Sequence, residues 1–316
     1  MELAIAAVVV VVIAVAVRRL SLNRVVRQRH AEPFDGVVYR VGSAAIAERR
    51  CDHPVATVIC MHGFCEDLRY FTRHYADPRL QLILVNSGDY HLPIANPTFA
   101  DAPWVRQPTA AEGSIEYDAQ VLVQALEFLP KTPSIRLHGH SRGGAVLLEA
   151  AALRPDLFKR AEVVMEAPVL PRGKAHRAPS RLGLWLLPFL VPLWRLAPLN
   201  PSNRRIWGDL GNPRKRELLE GLPFNPRRIA TMAANIRSIE EWARRRDVDL
   251  YRNIDHGVVL VPEHDMVLDA DAMAESAAQA GAALKVVLVP GASHFVLQDR
   301  PEVIPPAMPV GLAAGA

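Results

Sequence analysis

The chain has 316 residues, half of them hydrophobic and 22% charged, which excludes global disorder and leaves ample material for a core. Three cysteines exclude a disulfide framework, and nothing in them calls for an oxidising compartment. A net charge of +4 with 6% aromatic residues argues against a nucleic-acid partner, which needs clustered basic residues and stacking rings.

Leu3 to Val17 is an uninterrupted apolar run of fifteen residues. As a helix it spans roughly 22 Å, against ~30 Å of hydrocarbon. Snorkelling by Arg18 and Arg19, with local bilayer thinning, closes that gap. Arg24, Arg27 and Arg29 follow, with no acid until Glu32. We expect a transmembrane anchor over residues 1–20 and a basic juxtamembrane segment over 21–34. A cleaved signal peptide and a buried core helix are the alternatives. The first lacks a basic n-region, because the only early charge is Glu2. The basic flank follows the span, so the positive-inside rule places the body of the chain in the cytoplasm.

Beyond the anchor, short apolar runs alternate with helical patterns. Strands are expected at Gly36–Val41, Ala44–Cys51, Ala56–Met61, Leu80–Val85, Ser134–Leu137, Ala161–Met165, Gly257–Val261 and Lys285–Val289. Helices are expected at Ser114–Leu129 and Gly143–Leu153. That alternation predicts an α/β fold with a mostly parallel sheet covered on both faces, over residues 35–304. Residues 169–246 break the rhythm. They are proline-rich and read as a helical cap insertion, with helices at Arg181–Leu196, Pro213–Leu222 and Asn225–Ala243. Such insertions sit over the carboxyl edge of a parallel sheet, where ligands bind. Residues 305–316 read as a loose tail.

Gly139-His140-Ser141-Arg142-Gly143-Gly144 lies between an expected strand and an expected helix. This is G-x-S-x-G in the strand–turn–helix context that gives it meaning. The flanking glycines permit a sharp turn. The turn lifts Ser141 Oγ above the sheet edge, at a helix N-terminus that favours a developing anion. The competing reading is a plain glycine-rich turn.

With that elbow, the chain resembles the α/β-hydrolase superfamily, lipase/esterase type, over roughly residues 35–300. The resemblance rests on three further motifs. Met61-His62-Gly63-Phe64 follows an apolar strand, and in this family such a loop lends one oxyanion-hole N–H, here that of Phe64. The other comes from the residue after the nucleophile, Arg142. Each such donor contributes about 3 kcal/mol to the transition state. Pro262-Glu263-His264-Asp265 follows the Gly257–Val261 strand, where the family carries its acid. Asp265 is the best match; Glu263, Asp269 and Asp271 compete. Gly291-Ala292-Ser293-His294 lies on the last strand-to-helix loop, so the resemblance implies His294 as general base. The order Ser141, Asp265, His294 is the one expected for this fold. His62, Gly63, Gly139, His140 and Gly143 support the motifs, and His138 and His264 read as loop or neighbouring residues.

Arg142 departs from the family's usual residue. Its cation either pairs with a nearby carboxylate or meets an anionic substrate. Glu66 and Asp67 read as solvated or capping residues of the oxyanion loop. Cys60 and Cys65 lack a second ligand pair at zinc spacing, and no phosphate or dinucleotide loop occurs, so neither metal nor cofactor is expected. Charge is unevenly placed. Residues 169–246 hold sixteen Arg/Lys and five Asp/Glu, a net +11, and residues 1–30 carry +4, which leaves −11 for the remainder. Within the cap, Leu182–Leu196 is strongly apolar and includes Trp185, Phe189 and Trp194. It either rests on a lipid interface or lines an acyl pocket. Membrane-anchored monoacylglycerol-lipase-like enzymes share this layout. The resemblance therefore implies a serine hydrolase of apolar or lipid-derived acyl esters. An acyl thioesterase, an acyltransferase and a non-catalytic scaffold are the alternatives.

Overall fold

The computed structural model describes residues 2–23, 30–176, 180–201, 204–221 and 228–307; the side chains of residues 2, 3 and 190–195 fall outside that description. Eight strands form one sheet: β1 (Gly36–Val41), β2 (Ala44–Arg49), β3 (Ala56–Met61), β4 (Leu80–Asn86), β5 (Ile135–His140), β6 (Ala161–Glu166), β7 (Gly257–Pro262) and β8 (Leu284–Val289). Their order is β1-β2-β4-β3-β5-β6-β7-β8, antiparallel at the first two pairings and parallel thereafter. Strands β3 and β4 wind one way and β5 to β8 the other. The switch point lies between β3 and β5, where a crevice opens at the carboxyl ends.

Eleven α-helices are described. They are α1 (Glu2–Leu22), α2 (Arg69–Thr72), α3 (Ile115–Phe128), α4 (Arg142–Leu153), α5 (Pro155–Phe158), α6 (Arg181–Leu196), α7 (Arg204–Trp207), α8 (Pro213–Glu220), α9 (Ile229–Arg245), α10 (Ala270–Ala278) and α11 (Val296–Asp299). Ser114 caps α3 by accepting from the Tyr117 N–H. Helices α3, α4 and α10 pack one face of the sheet, around Ile59, Leu137, Val146 and Val259. Phe71, Val58, Leu82, Leu260 and Val296 fill the other face. Central strands are buried on both faces, which is why they read as apolar runs and not as alternating ones.

Two strand limits move by more than one residue. β2 stops at Arg49, before the expected Cys51, and β5 runs on through Gly139 to His140. Pairing explains the second: Gly139 and His140 register with Met165 and Glu166 of β6. Helices α6 to α9 lie between β6 and β7. Helix α9 is pinned to the body by buried Asn235, which donates to Gly113 O at 2.7 Å, and by Trp242 Nε1, which donates to Glu149 at 2.8 Å. Part of the expected Asn225–Ala243 helix lies outside the described residues. In the expected tail, the carbonyls of Pro305 and Pro306 accept from the Arg136 guanidinium.

Helix α1 runs past the apolar stretch to Leu22, twenty-one residues in all. At 1.5 Å per residue that is about 31 Å of helix, of which the apolar run from Leu3 to Val17 is the greater part. Ala4–Leu22 has a mean hydropathy of 2.4, is long and apolar enough to cross a membrane, and holds no buried residue. Arg24, Arg27 and Arg29 lie outside the described residues.

Candidate active site

The turn between β5 and α4 puts Ser141 at φ 51°, ψ −118°, a conformation L-residues rarely adopt. Holding it there costs on the order of 1–3 kcal/mol, which neighbouring bonds must offset. Ser141 N–H donates to Glu166 O at 3.0 Å, and Ser141 O accepts from Gly144 and Val169, each at 2.9 Å. Glycine is required close by. A Cβ on Gly143 would lie 2.2 Å from Met61 O, so only glycine lets α4 begin against β3.

The loop after β3 abuts this elbow: a Cβ on Gly63 would sit 3.0 Å from Ser141 Cβ. Its orientation follows from His62, which is fully buried. Its Nε2 accepts from the Ser87 N–H at 3.1 Å, so the proton resides on Nδ1 and is donated to Gly63 O at 2.8 Å. Burial pushes His62 below its ordinary pKa, consistent with this neutral tautomer. In a trans peptide the N–H points opposite to the C=O. Drawing Gly63 O toward His62 therefore turns Phe64 N–H away from it. Among the described residues neither Phe64 N–H nor Arg142 N–H donates a hydrogen bond within the chain.

His294 lies on the loop between β8 and α11 and shares a cavity with Ser141. Its Nδ1 donates to Asp265 Oδ2 at 2.7 Å. Asp265 Oδ1 accepts from the N–H groups of Val267 at 2.7 Å and Leu268 at 2.9 Å. Burial pushes the Asp265 carboxyl up, but His294 and these two donors outweigh it and hold it below the usual range. The competing acids are otherwise employed. Glu263 accepts from Gly291 N–H, Asp269 caps α10, and Asp271 is exposed in its first turn. His264 is exposed. Among the described residues Ser141 Oγ makes no hydrogen bond to His294, a contact that commonly tightens only when substrate is bound.

Around this centre one open choice is decided, in favour of an Arg142–carboxylate pair, and one expectation changes. The Arg142 side chain does not reach a substrate. It is fully buried, with Nη1 donating to Asp118 Oδ2 at 2.5 Å and Nη2 to Ser114 O at 2.8 Å. Glu66 and Asp67 are not solvated. Asp67 takes both nitrogens of the Arg69 fork, at 2.9 and 2.7 Å. Glu66 Oε2 accepts from Gly63 N–H at 2.9 Å and from His140 Nδ1 at 2.7 Å. Sequence reading missed Glu66, because its partner is 74 positions away. The only available signal was a carboxylate three residues after a His-Gly pair.

A cavity of about 480 Å³ opens above Ser141 and His294. Its roof is drawn from the cap, through Leu187, Ile206, Leu218, Leu219, Met232 and Ile236. Leu187 faces this space, whereas Leu182, Trp185 and Leu186 on the same helix are exposed. Phe189 packs beside Trp185, with ring centroids 5.8 Å apart, and the Trp194 side chain lies outside the described residues. Helix α1 meets α6: Arg18 Nε donates to Trp185 O at 3.3 Å, and Leu22 packs with Leu184 around Leu187.

No curated sequence matches this chain closely enough to count as a relative. Solved structures do resemble it in fold. E-2-(acetamidomethylene)succinate hydrolase shares 20% identity at a TM-score of 0.53, covering 85% of this chain and 96% of that one. The 2-hydroxy-6-oxo-6-phenylhexa-2,4-dienoate hydrolase of Rhodococcus sp. strain RHA1 shares 15% at a TM-score of 0.59, covering 84% and 94%. A thermophilic esterase from Thermogutta terrifontis shares 19% at a TM-score of 0.53, covering 82% and 89%. The alpha/beta hydrolase family signature matches residues 58–304, most of the chain, and this protein belongs to that family.

Proposed function

We propose that the protein is a serine hydrolase that cleaves carboxylic esters of apolar or lipid-derived acyl groups. The observation that carries this reading is the strained Ser141, set beneath an apolar cavity beside a His294–Asp265 pair. Ser141 Oγ attacks the acyl carbon as His294 Nε2 takes its proton. The charged oxygen that forms is held by Phe64 N–H and Arg142 N–H, at the N-terminus of α4. Asp265 fixes the His294 tautomer and balances the imidazolium. His294 then protonates the leaving alcohol, and water activated by His294 releases the acid.

The substrate class follows from the roof, whose leucines, isoleucines and methionine offer an acyl chain no hydrogen bonds. Helix α1 anchors the enzyme in a membrane, with the catalytic body on the cytoplasmic side. Helix α6, packed on α1, presents its other apolar face to the lipid surface. A fluorophosphonate should label the wild type and not Ser141→Ala, which should lose at least ~10³-fold of ester turnover. A panel of esters and thioesters of graded length ranks the leaving groups. Labelling that survives in Ser141→Ala would refute the assignment.

A further inference from the structure

We propose that the buried Glu66–His140 ion pair is a positioning device for this reaction, tying the oxyanion loop, the nucleophile elbow and the loop of the general base into one unit. The inference rests on the serine-hydrolase reading and adds to it two residues that act through Gly63, Ser141 and His294 and not on the bond that breaks.

The geometry carries it. His140 immediately precedes Ser141 and is fully buried. Its Nδ1 lies 2.7 Å from Glu66 Oε2 and its Nε2 lies 2.9 Å from the backbone carbonyl of His294. Both partners are acceptors, so both ring nitrogens must carry protons; a neutral imidazole has only one N–H to give. The carboxylate atom that meets His140 also accepts Gly63 N–H at 2.9 Å. One charged contact thus reaches the His62–Gly63 peptide next to that of Phe64, the residue before Ser141 and the residue that takes the proton. Tyr70 lies flat on the His140 ring, with centroids 4.5 Å apart and planes 12° apart, which fixes the third direction.

Electrostatics agree. Burial alone would strip the proton from His140, but Glu66 and Glu166 outweigh it and raise its pKa to about 9. Around the ring lie Glu66 from the β3 loop, Glu166 from β6, His138 on its own strand and the His294 ring at 4.9 Å. His138 is held neutral by burial, which pushes its pKa well down. Deprotonating His140 would leave either the Glu66 carboxylate with Gly63 N–H alone or the His294 carbonyl without the His140 donor. The oxyanion loop or the base loop would then be free to drift, and a displacement of ~1 Å costs up to about a hundredfold in rate.

Three measurements test the device. Histidine-labelled wild type is titrated by ¹⁵N NMR; the His140 signal should remain that of an imidazolium at pH 7 and lose it near pH 9. A neutral ring at pH 7 would overturn the proposal, and this readout is independent of turnover. Glu66→Gln should lower kcat roughly tenfold to a hundredfold with KM within about twofold, and move the alkaline loss of activity to lower pH. His140→Gln should show the same kcat loss and no alkaline limb of its own. A folded His140→Gln with wild-type kcat, or an unmoved limb in Glu66→Gln, would overturn it as well. Absence of fluorophosphonate label at Ser141 in the wild type would instead remove the hydrolase reading and leave the NMR result standing.

Discussion

The floor and the roof of the cavity are built on opposite plans. The floor, at the carboxyl ends of β3, β5, β7 and β8, is dense with buried charge. Glu66 with His140 and Asp118 with Arg142 meet as ion pairs at 2.7 Å or less, and the Asp265 carboxylate accepts from the His294 ring at 2.7 Å. The roof, helices α6 to α8 and the inner side of α9, turns chiefly aliphatic side chains inward, although residues 169–246 carry a net +11. Paired charges have steep distance and angle requirements, so they fix positions; aliphatic surfaces tolerate many ligand shapes. The division suits an enzyme with a single required geometry at the bond it breaks and a looser requirement along the acyl chain.

The sharpest way to break that contrast is to remove one floor charge. Asp118→Ala would leave the fully buried Arg142 guanidinium facing Ser87 Oγ and backbone carbonyls only. Removing one partner of a buried pair costs about 3–5 kcal/mol. Urea unfolding should register a loss of that size, with no comparable loss for Leu218→Ile in the roof. A drop below about 1 kcal/mol for Asp118→Ala would mean that the pair does not hold the elbow. Replacing both members, as Asp118→Leu with Arg142→Met, should recover much of the loss, because no charge then stays buried alone.

How much of this was readable from sequence follows the same division. The strands were legible because buried parallel strands are continuous apolar runs, as in Leu80–Asn86. The placing of Ser141, Asp265 and His294 on loops followed from those strands. The floor's ion pairs were not legible. Asp118 lies 24 positions from Arg142 and Glu66 lies 74 from His140, and a charge in sequence carries no label of its partner. β5 was cut short at Leu137 because Gly139 and His140 have weak strand propensity, yet β6 supplies their pairing partners. Helix α1, expected within residues 1–20, runs two residues further, to Leu22. For α6, the sequence established an apolar helix without saying which side faces the cavity.

A milder test separates floor from roof by pH. His140 is raised from 6.5 to about 9, so its contribution is complete below pH 6.5 and is lost as pH climbs through 9. That shift corresponds to about 3 kcal/mol. Glu166, raised by burial from 4.5 to about 7, acts in the same direction: its contribution is complete below 4.5 and lost as pH rises through 7. Glu66, Asp67 and Asp265 are held below their ordinary values, so their contributions are present at neutral pH and lost on acidification. The melting temperature should therefore peak near pH 5 and fall on both sides, gently up to pH 7 and further as pH climbs through 9. A Tm that still rises between pH 7 and 10 would contradict this. His140→Gln should flatten the alkaline decline, whereas roof substitutions should leave its shape unchanged.

The smallest expected effects lie within one helix, and they distinguish its two faces. Leu187 of α6 lines the cavity, while Leu182 and Leu186, on the outer side, are 65% and 36% exposed. If the outer face lies on lipid, each outer leucine contributes about 1–2 kcal/mol to partitioning. In a chain lacking residues 1–23, Leu182→Ser with Leu186→Ser should weaken binding to anionic vesicles roughly tenfold or more. The preference among ester chain lengths should stay as it was. Leu187→Trp should do the reverse: it occupies acyl space, so kcat/KM on long-chain esters should fall about tenfold, short-chain esters should change little, and vesicle binding should hold. If the outer pair alters chain-length preference and Leu187 alters vesicle binding, the helix is seated the other way round. If the shortened chain binds no vesicles at all, α6 has no lipid face.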